Sequence, residues 1–329
     1  MDTLWKIYEE EMPAFLAEGM RCPSMERLRE IGMNCGCQYT SFPLFQKALP
    51  YSRWDHSVGT ALIAWHFSRD PGAALAGLTH DIAAPVFAHV IDFVRGDYLR
   101  QESTEAGTVR LIRQDRRLTD CLARAGIGPS RAEDRLYPLV NNETPRLCAD
   151  RLEYTLGNLF HFRFCAPGEI ASLYRALTVA EAEDGQPELA FKDVESAGQF
   201  ARLALRCAAV YVSDEDRYAM QILSELVKEA LARNVLMEED LWTTEPRVIA
   251  ALGRDEAFRQ EWAGYTALSR TERADTPDGR PGWRRVDAKK RWIDPLVAGA
   301  GRLSRLDGAF AEEAQAFLAR PLTGWITGS

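Results

Sequence analysis

One stretch limits the folds open to this chain more than any other. Residues 75–92 read LAGLTHDIAAPVFAHVID, apolar almost throughout and yet carrying His80, Asp81, His89 and Asp92. Such a run belongs inside a globular body. A charge taken out of water costs several kcal/mol unless it is paired or bound to a metal. The four groups must therefore satisfy one another or share a cation. The stretch continues a helix that starts at Pro71, and Pro85 should end or kink it, at about Ala84.

The surroundings are helical. Met25–Ile31 follows the start signal Pro23-Ser24 and stops at Gly32, and His56–Phe67 is an apolar run at helical spacing. Ser103 or Thr104 could cap a helix reaching Gln114, and Leu147–Phe160 is amphipathic. From Asp216 onward, Ala219, Ile222, Leu223, Leu226, Ala230 and Leu231 form one apolar face. Strand signals are few. The best is Gly282–Val297, behind the turn-like TPDGRPG, read as a short hairpin. With 329 residues, 46% of them hydrophobic, the chain can bury a sizeable core. We expect an all-α, mainly helical core over residues 1–240 and a small α+β appendage over residues 241–329.

A net charge of −8 argues against non-specific nucleic-acid binding, which needs a basic footprint, but leaves room for a local basic pocket. No window reaches 18 uninterrupted apolar residues, and the first residues lack a basic stretch followed by an apolar run. The expectation is a cytoplasmic protein with no membrane partner. The seven cysteines are scattered and odd in number, unlike a disulfide framework. Cys35-Gly36-Cys37 reads as an ordinary reduced pair, with redox or metal chemistry as the alternative.

Histidines number only five. Helical bundles build metal sites from single ligands on several facing helices. His56 from one helix, His80 and Asp81 from the next and Asp150 from a third would make four ligands to one divalent ion. Imidazole with carboxylate suits Mn, Fe, Zn, Ni or Co better than Ca, with Mg as a further option. An adjacent His-Asp pair taken alone reads more simply as capped or salt-bridged. His89 falls half a turn off the direction of His80 on one straight helix, but a break at Pro85 could return it to the same pocket. There it would act as an acid or base beside the site; its plainer reading is a satisfied core histidine.

In this order and setting the residues resemble the HD superfamily of metal-dependent phosphohydrolases, and within it the deoxynucleoside triphosphate triphosphohydrolase-like branch. The family string R-F-E-H-S-x-G resembles Arg53-Trp54-Asp55-His56-Ser57-Val58-Gly59, and L-x-H-D-x-G-H-x-P-x-S-H resembles Leu78–His89. The late aspartate of the family, in D-x-x-x-Y-x-x-x-D, resembles Asp150, Tyr154 and Asn158. The segment ERLREIGMNCGCQYTSFP resembles the family's approach to its first histidine. By position, the resemblance implies His56, His80, Asp81 and Asp150 as metal ligands. It implies Arg53 on a substrate phosphate, with Arg151, Tyr154 and Asn158 around the rest of the substrate. Asp81 would bridge ion and water, His89 would be the proton donor, and Asp92 would lie behind the ligands.

The sequence departs from the family pattern at three places. Ala84 stands where the family has its second histidine, Thr104-Glu105 where it has a His-Glu pair, and Asn158 where it has an aspartate. Glu102 or Glu105 could supply the missing acid or base if burial raises its pKa. Only His89 lies between the His-Asp pair and Asp150, which argues against a dinuclear site.

The first functional reading is thus a hydrolase of a small phosphorylated compound, most naturally a nucleotide. The second is a binding or regulatory module that keeps its metal or nucleotide and has weak or no catalysis. The third is a helical interaction protein with a fortuitous pattern. The resemblance leaves a homo-oligomer open. Arg284, Arg285, Lys289, Lys290 and Arg291, around Trp283 and Trp292, form a second basic cluster: either a nucleotide-phosphate, allosteric or partner site, or a solvated hairpin face.

Overall fold

In a computed structural model of the chain, residues 1–96 and 107–329 are described. Its centre is a group of helices around α2. The helices that position the site are α1 (Asp2–Tyr8), α2 (Arg53–Ser68), α3 (Pro71–Thr79), α4 (Val90–Arg95) and α5 (Ala149–His161). Beyond them come α6 (Val194–Tyr211), α7 (Asp214–Ala232), α8 (Glu256–Ala267) and α9 (Gly308–Ala319). α2 packs on α3, α5 and α1, while α7 packs on α4 and α8. One continuous apolar core runs from Leu4 to Ile326. No described helix is long and apolar enough to cross a membrane.

The start of α2 is set by a capping box, with Ser52 Oγ accepting from the Asp55 amide at 3.2 Å and Asp55 Oδ2 accepting from the Ser52 amide at 2.9 Å. α2 is buried nearly all round over its first three turns, as its unbroken apolar run requires.

α3 departs from the expectation. It ends at Thr79, five residues before Ala84. His80 and Asp81 follow in a tight turn, closed by Ile82 N–H on Thr79 O at 3.1 Å and Ala84 N–H on Asp81 O at 2.8 Å. Arg27 braces this turn, its guanidinium donating to Ile82 O at 3.0 Å and Ala84 O at 2.7 Å. The segment expected as a helix over Met25–Ile31 is likewise split, into an α-turn over Pro23–Glu26 and a 3₁₀ turn over Arg27–Glu30.

The strands also differ from expectation. β1 (Leu177–Glu181) and β2 (Pro187–Phe191) form an antiparallel hairpin, Val179 opposite Leu189, inside the region read as purely helical. β3 (Thr271–Ala274) pairs with β6 (Trp325–Gly328). β4 (Leu296–Val297) adds to β2 in parallel and turns back into β5 (Gly301–Arg302). Strands from both sides of residue 240 therefore share one sheet.

The hairpin expected over Gly282–Val297 is absent. The segment runs extended because its groups are committed to different neighbours. The Trp283 indole donates to Asp278 at 2.9 Å, and Arg284 grips Glu225 with two bonds of 2.7 and 2.8 Å. The Asp294 amide donates to Pro145 O at 2.9 Å. Farther on, Arg302 of β5 makes bidentate contacts of 2.6–2.8 Å to Glu183 and Glu188, fastening this late sheet to the middle of the chain.

Candidate metal centre and its pocket

His56 lies one turn into α2 and Arg53 at its start, so the two share a face. His80 and Asp81 come from the turn after α3, and Asp150 from the first turn of α5. The three elements bring the Nε2 atoms of His56 and His80 to 3.0 Å. Asp150 Oδ1 lies 3.1 Å from the His56 nitrogen and 3.8 Å from that of His80. Asp81 Oδ2 lies 3.9 and 3.8 Å from the same two atoms. Ligand atoms of His56, His80 and Asp81 fall within 4.8 Å of one another, a spacing one ion can bridge; Asp150 stands just outside that group.

The far side of each ring is held. His80 Nδ1–H donates to Gly77 O at 2.7 Å, which leaves Nε2 as the ring's open position. His56 Nδ1–H donates to Glu153 Oε2 at 2.6 Å. Glu153 is wholly buried and also accepts from the Tyr51 hydroxyl at 2.5 Å. This is the carboxylate–imidazole arrangement that orients ligating histidines. A Cβ on Gly59 would meet Glu153 Oε1 at 2.5 Å, so the close approach of α2 to α5 needs glycine there.

The electrostatics call for positive charge. Burial disfavours a charged His56, but its hydrogen bonds to Asp150 and Glu153 outweigh that and push its pKa up to about 10. Burial likewise opposes ionised Asp81, yet Arg53 above all, with His80 and His56, holds it well below the usual carboxylate range. Asp150 is lowered to about 2: burial opposes the charge, and the His56 hydrogen bond overcomes it. Burial pushes Glu153 upward. An imidazole proton supplies the charge these carboxylates need; a divalent ion between the two nitrogens would supply it better. The donors, two imidazoles and two carboxylates, fit such an ion.

The other expected residues divide. Arg53 is buried and donates to Asp81 Oδ2 at 2.9 Å. His89 does return to the same pocket: a turn at Phe87 and Ala88, both with left-handed backbone (φ 55° and 44°), redirects the chain after Pro85. Its Nδ1 pairs with buried Asp92 at 2.9 Å, so Asp92 supports His89 and not a proposed metal ligand. Burial, aided by Arg53 and Arg291, lowers the His89 pKa despite Asp92.

Arg151 lines the pocket, but its Nε donates to Arg146 O at 2.6 Å and its terminal nitrogen to Asn142, so it braces the 142–146 loop. Tyr154 and Asn158 follow Asp150 at four-residue steps on the pocket face of α5. Asn158 donates to the Tyr211 hydroxyl at 2.9 Å. Ala84 lines the pocket with no group able to carry a proton. Glu102, Thr104 and Glu105 lie outside the described residues.

These groups surround a cavity of about 720 Å³. Its lining also includes Asp216 from α7, and Lys289, Arg291 and Trp292 from the extended late segment. The basic cluster of the sequence is thereby split: Lys289 and Arg291 line the cavity, Arg284 pairs with Glu225, and Lys290 donates to Leu318 O at 2.5 Å. Glu153 and Asp216 were not foreseen. The signal for Glu153 was an acid beside Leu152 and Leu156, on the apolar side of an amphipathic helix. Asp216 reads in the sequence only as one of three acids in the first turn of a helix, and that place is also its own: Ser213 caps the helix and accepts the Asp216 amide at 3.2 Å.

Comparison with known proteins adds four findings. No family model matches the chain. It is 32% identical over 163 residues, 48% of this chain and 44% of the relative, to metal-dependent phosphohydrolase cns2 of Cordyceps militaris. It is 25% identical over 205 residues, 61% of each chain, to uncharacterized protein YdhJ of Bacillus subtilis. The matches thus span 44% and 61% of these curated relatives' own length, under two thirds of each. Among solved structures, a phosphohydrolase from Bacteroides thetaiotaomicron superposes with a TM-score of 0.66 over 97% of this chain and 96% of its own, at 15% identity. That likeness establishes the fold. The sequence and fold findings agree with the resemblance to HD-type metal-dependent phosphohydrolases; neither singles out the deoxynucleoside triphosphate triphosphohydrolase-like branch.

Proposed function

We propose that this chain is an HD-type metal-dependent phosphohydrolase that cleaves a small phosphomonoester, of which a nucleotide is the leading candidate. The observation that carries this reading is the 3.0 Å approach of two imidazole Nε2 atoms, flanked by two carboxylates, on the wall of a cavity of about 720 Å³. A cavity of this size suits a small-molecule ligand. His56, His80, Asp81 and Asp150 would hold one divalent transition-metal ion. Such an ion neutralises charge on phosphoryl oxygens and lowers the pKa of bound water.

The chain's own residues supply the rest. Arg53, fixed by Asp81, presents a guanidinium to the phosphoryl oxygens. Asp81 orients the attacking water. His89, its Nδ1–H directed at Asp92 and its pKa lowered, is neutral near pH 7 and suits proton acceptance better than donation. Tyr154, Tyr211 and Trp292 give the cavity aromatic faces for a nucleobase or another flat group.

The same site would serve a metal-keeping binding module, and Ala84 in place of a proton-carrying residue is the feature favouring that second reading. The test is metal content together with phosphate release from a panel of nucleotides and other phosphoesters. Wild type is compared with a His80→Ala/Asp81→Ala double variant. Release by wild type and none by the double variant is the expected result. Metal without release from any compound would leave a binding module, and absence of metal would remove the site.

A further inference from the structure

Hydrolysis of a phosphomonoester of an ordinary alcohol needs an acid for the departing alkoxide. The acids lining the cavity among the described residues are Asp81, Glu133, Asp134, Asp150 and Asp216. Asp81 and Asp150 are engaged with the histidines and Arg53. Asp134 accepts from the Asn141 amide at 2.7 Å, and Glu133 is exposed.

Asp216 differs from all of these. It lines the cavity from the first turn of α7, and the polar contact to its carboxylate is the Cys37 thiol, 3.7 Å from Oδ1. Its neighbour Arg217 is turned away: one nitrogen donates to Asp214 at 2.6 Å, the other to the carbonyls of Val286 and Leu322. The titratable and charged groups that influence Asp216 are Cys35 and Cys37 from the segment before α2, Tyr265 from α8, Arg291 from the late segment, and Arg217 and Glu215 on its own helix. Burial dominates and raises its pKa to about 7, against the lowering pull of Cys37, Arg291 and Arg217. Cys35 and Arg53 line the same cavity as Asp216, and Cys35 feels the charge of both.

We propose that Asp216 is the proton donor to the leaving alcohol, a role that rests on the phosphohydrolase reading above. Water oxygen forms a bond to phosphorus. The bond between phosphorus and the alcohol oxygen breaks, its electron pair staying on that oxygen, which takes the Asp216 proton. The proton lost by the water goes to His89 and then to solvent, and Asp216 is reprotonated from solvent. The sum is phosphomonoester plus water giving alcohol plus phosphate, with no oxidant or reductant.

The test uses the metal-loaded protein and an Asp216→Asn variant on two kinds of substrate. One is an alkyl monoester such as glycerol phosphate or a nucleoside 5′-monophosphate, whose leaving group needs a proton. The other is 2,4-dinitrophenyl phosphate, whose leaving group needs none. Expected is a loss of about 10²-fold or more on the alkyl ester, the usual worth of a general acid, with the nitrophenyl ester spared. The alkaline limb of the alkyl-ester pH profile disappears with it. Equal losses on both substrates, or on neither, would overturn the assignment while leaving the hydrolase reading intact. A wild type inactive on both would overturn the two together. Carboxyl-carbon NMR of the wild type gives a readout independent of turnover and of the variant's folding. One aspartate should titrate near neutrality, and if none does the proposal fails.

Discussion

Glu153 accepts the Nδ1–H of His56 at 2.6 Å from a position with no solvent exposure, behind the proposed metal centre and invisible from the cavity. The carboxylate sets the tautomer and angle of the ring whose other nitrogen faces His80. Glu153→Gln should keep the fold and weaken metal binding by about 10–100-fold, the usual effect of losing such a partner. Isothermal titration with Mn or Co measures it, and unchanged affinity would remove Glu153 from the site.

The His56 pKa, raised to about 10, makes a prediction with a definite sign. A histidine raised above its unfolded value of about 6.5 contributes stability fully present below that value. That contribution is lost as pH climbs through about 10. The metal-free protein should therefore melt at lower temperature at alkaline pH than near neutrality. Metal entry displaces the Nε2 proton, so affinity should increase with pH over the same window, releasing about one proton per ion. Calorimetry in two buffers of different ionisation enthalpy counts that proton.

Arg53 and Asp81 form a pair buried on the arginine side. Arg53→Ala removes the guanidinium that pairs with Asp81. We expect a stability loss of order 3 kcal/mol in the metal-free protein, the usual cost of breaking such a pair by removing one partner. The loss should be smaller with metal bound. Phosphate release should fall by about 10²-fold, the scale of one lost electrostatic donor. Denaturation curves with and without metal separate the two effects.

Arg302 sits between Glu183 and Glu188, the latter only 1% exposed. Arg302→Ala strands a buried carboxylate and should cost about 3–5 kcal/mol in urea unfolding. A loss below about 1 kcal/mol, as for a surface pair, would show that the pairing of β2 with β4 alone holds this region.

The parts of the molecule legible in the sequence are those governed by short-range rules. α2, α5 and α7 each show a helical apolar pattern in a continuous segment, and the His-Asp pair is conspicuous against the apolar run that contains it. The β1–β2 hairpin was missed, although Asp184-Gly185, with Gly185 at φ 78°, is a local turn signal that the helical reading passed over. What else escaped depends on distant partners. The turn after Thr79 is braced by Arg27, and Arg284 is held by backbone pairing with Ile326 and by its side-chain grip on Glu225. Nothing local to either segment encodes that partner.

The joining of β4 to β2 makes completion of the site a late event. The residues proposed to hold the metal all lie between His56 and Asp150, whereas Arg291 and Trp292 enter the cavity wall from a segment made much later. One apolar core runs from Leu4 to Ile326, and a domain folds as a unit. A nascent protein on the ribosome would therefore hold no finished cavity until the segment around Arg302 has emerged and can clasp Glu183 and Glu188.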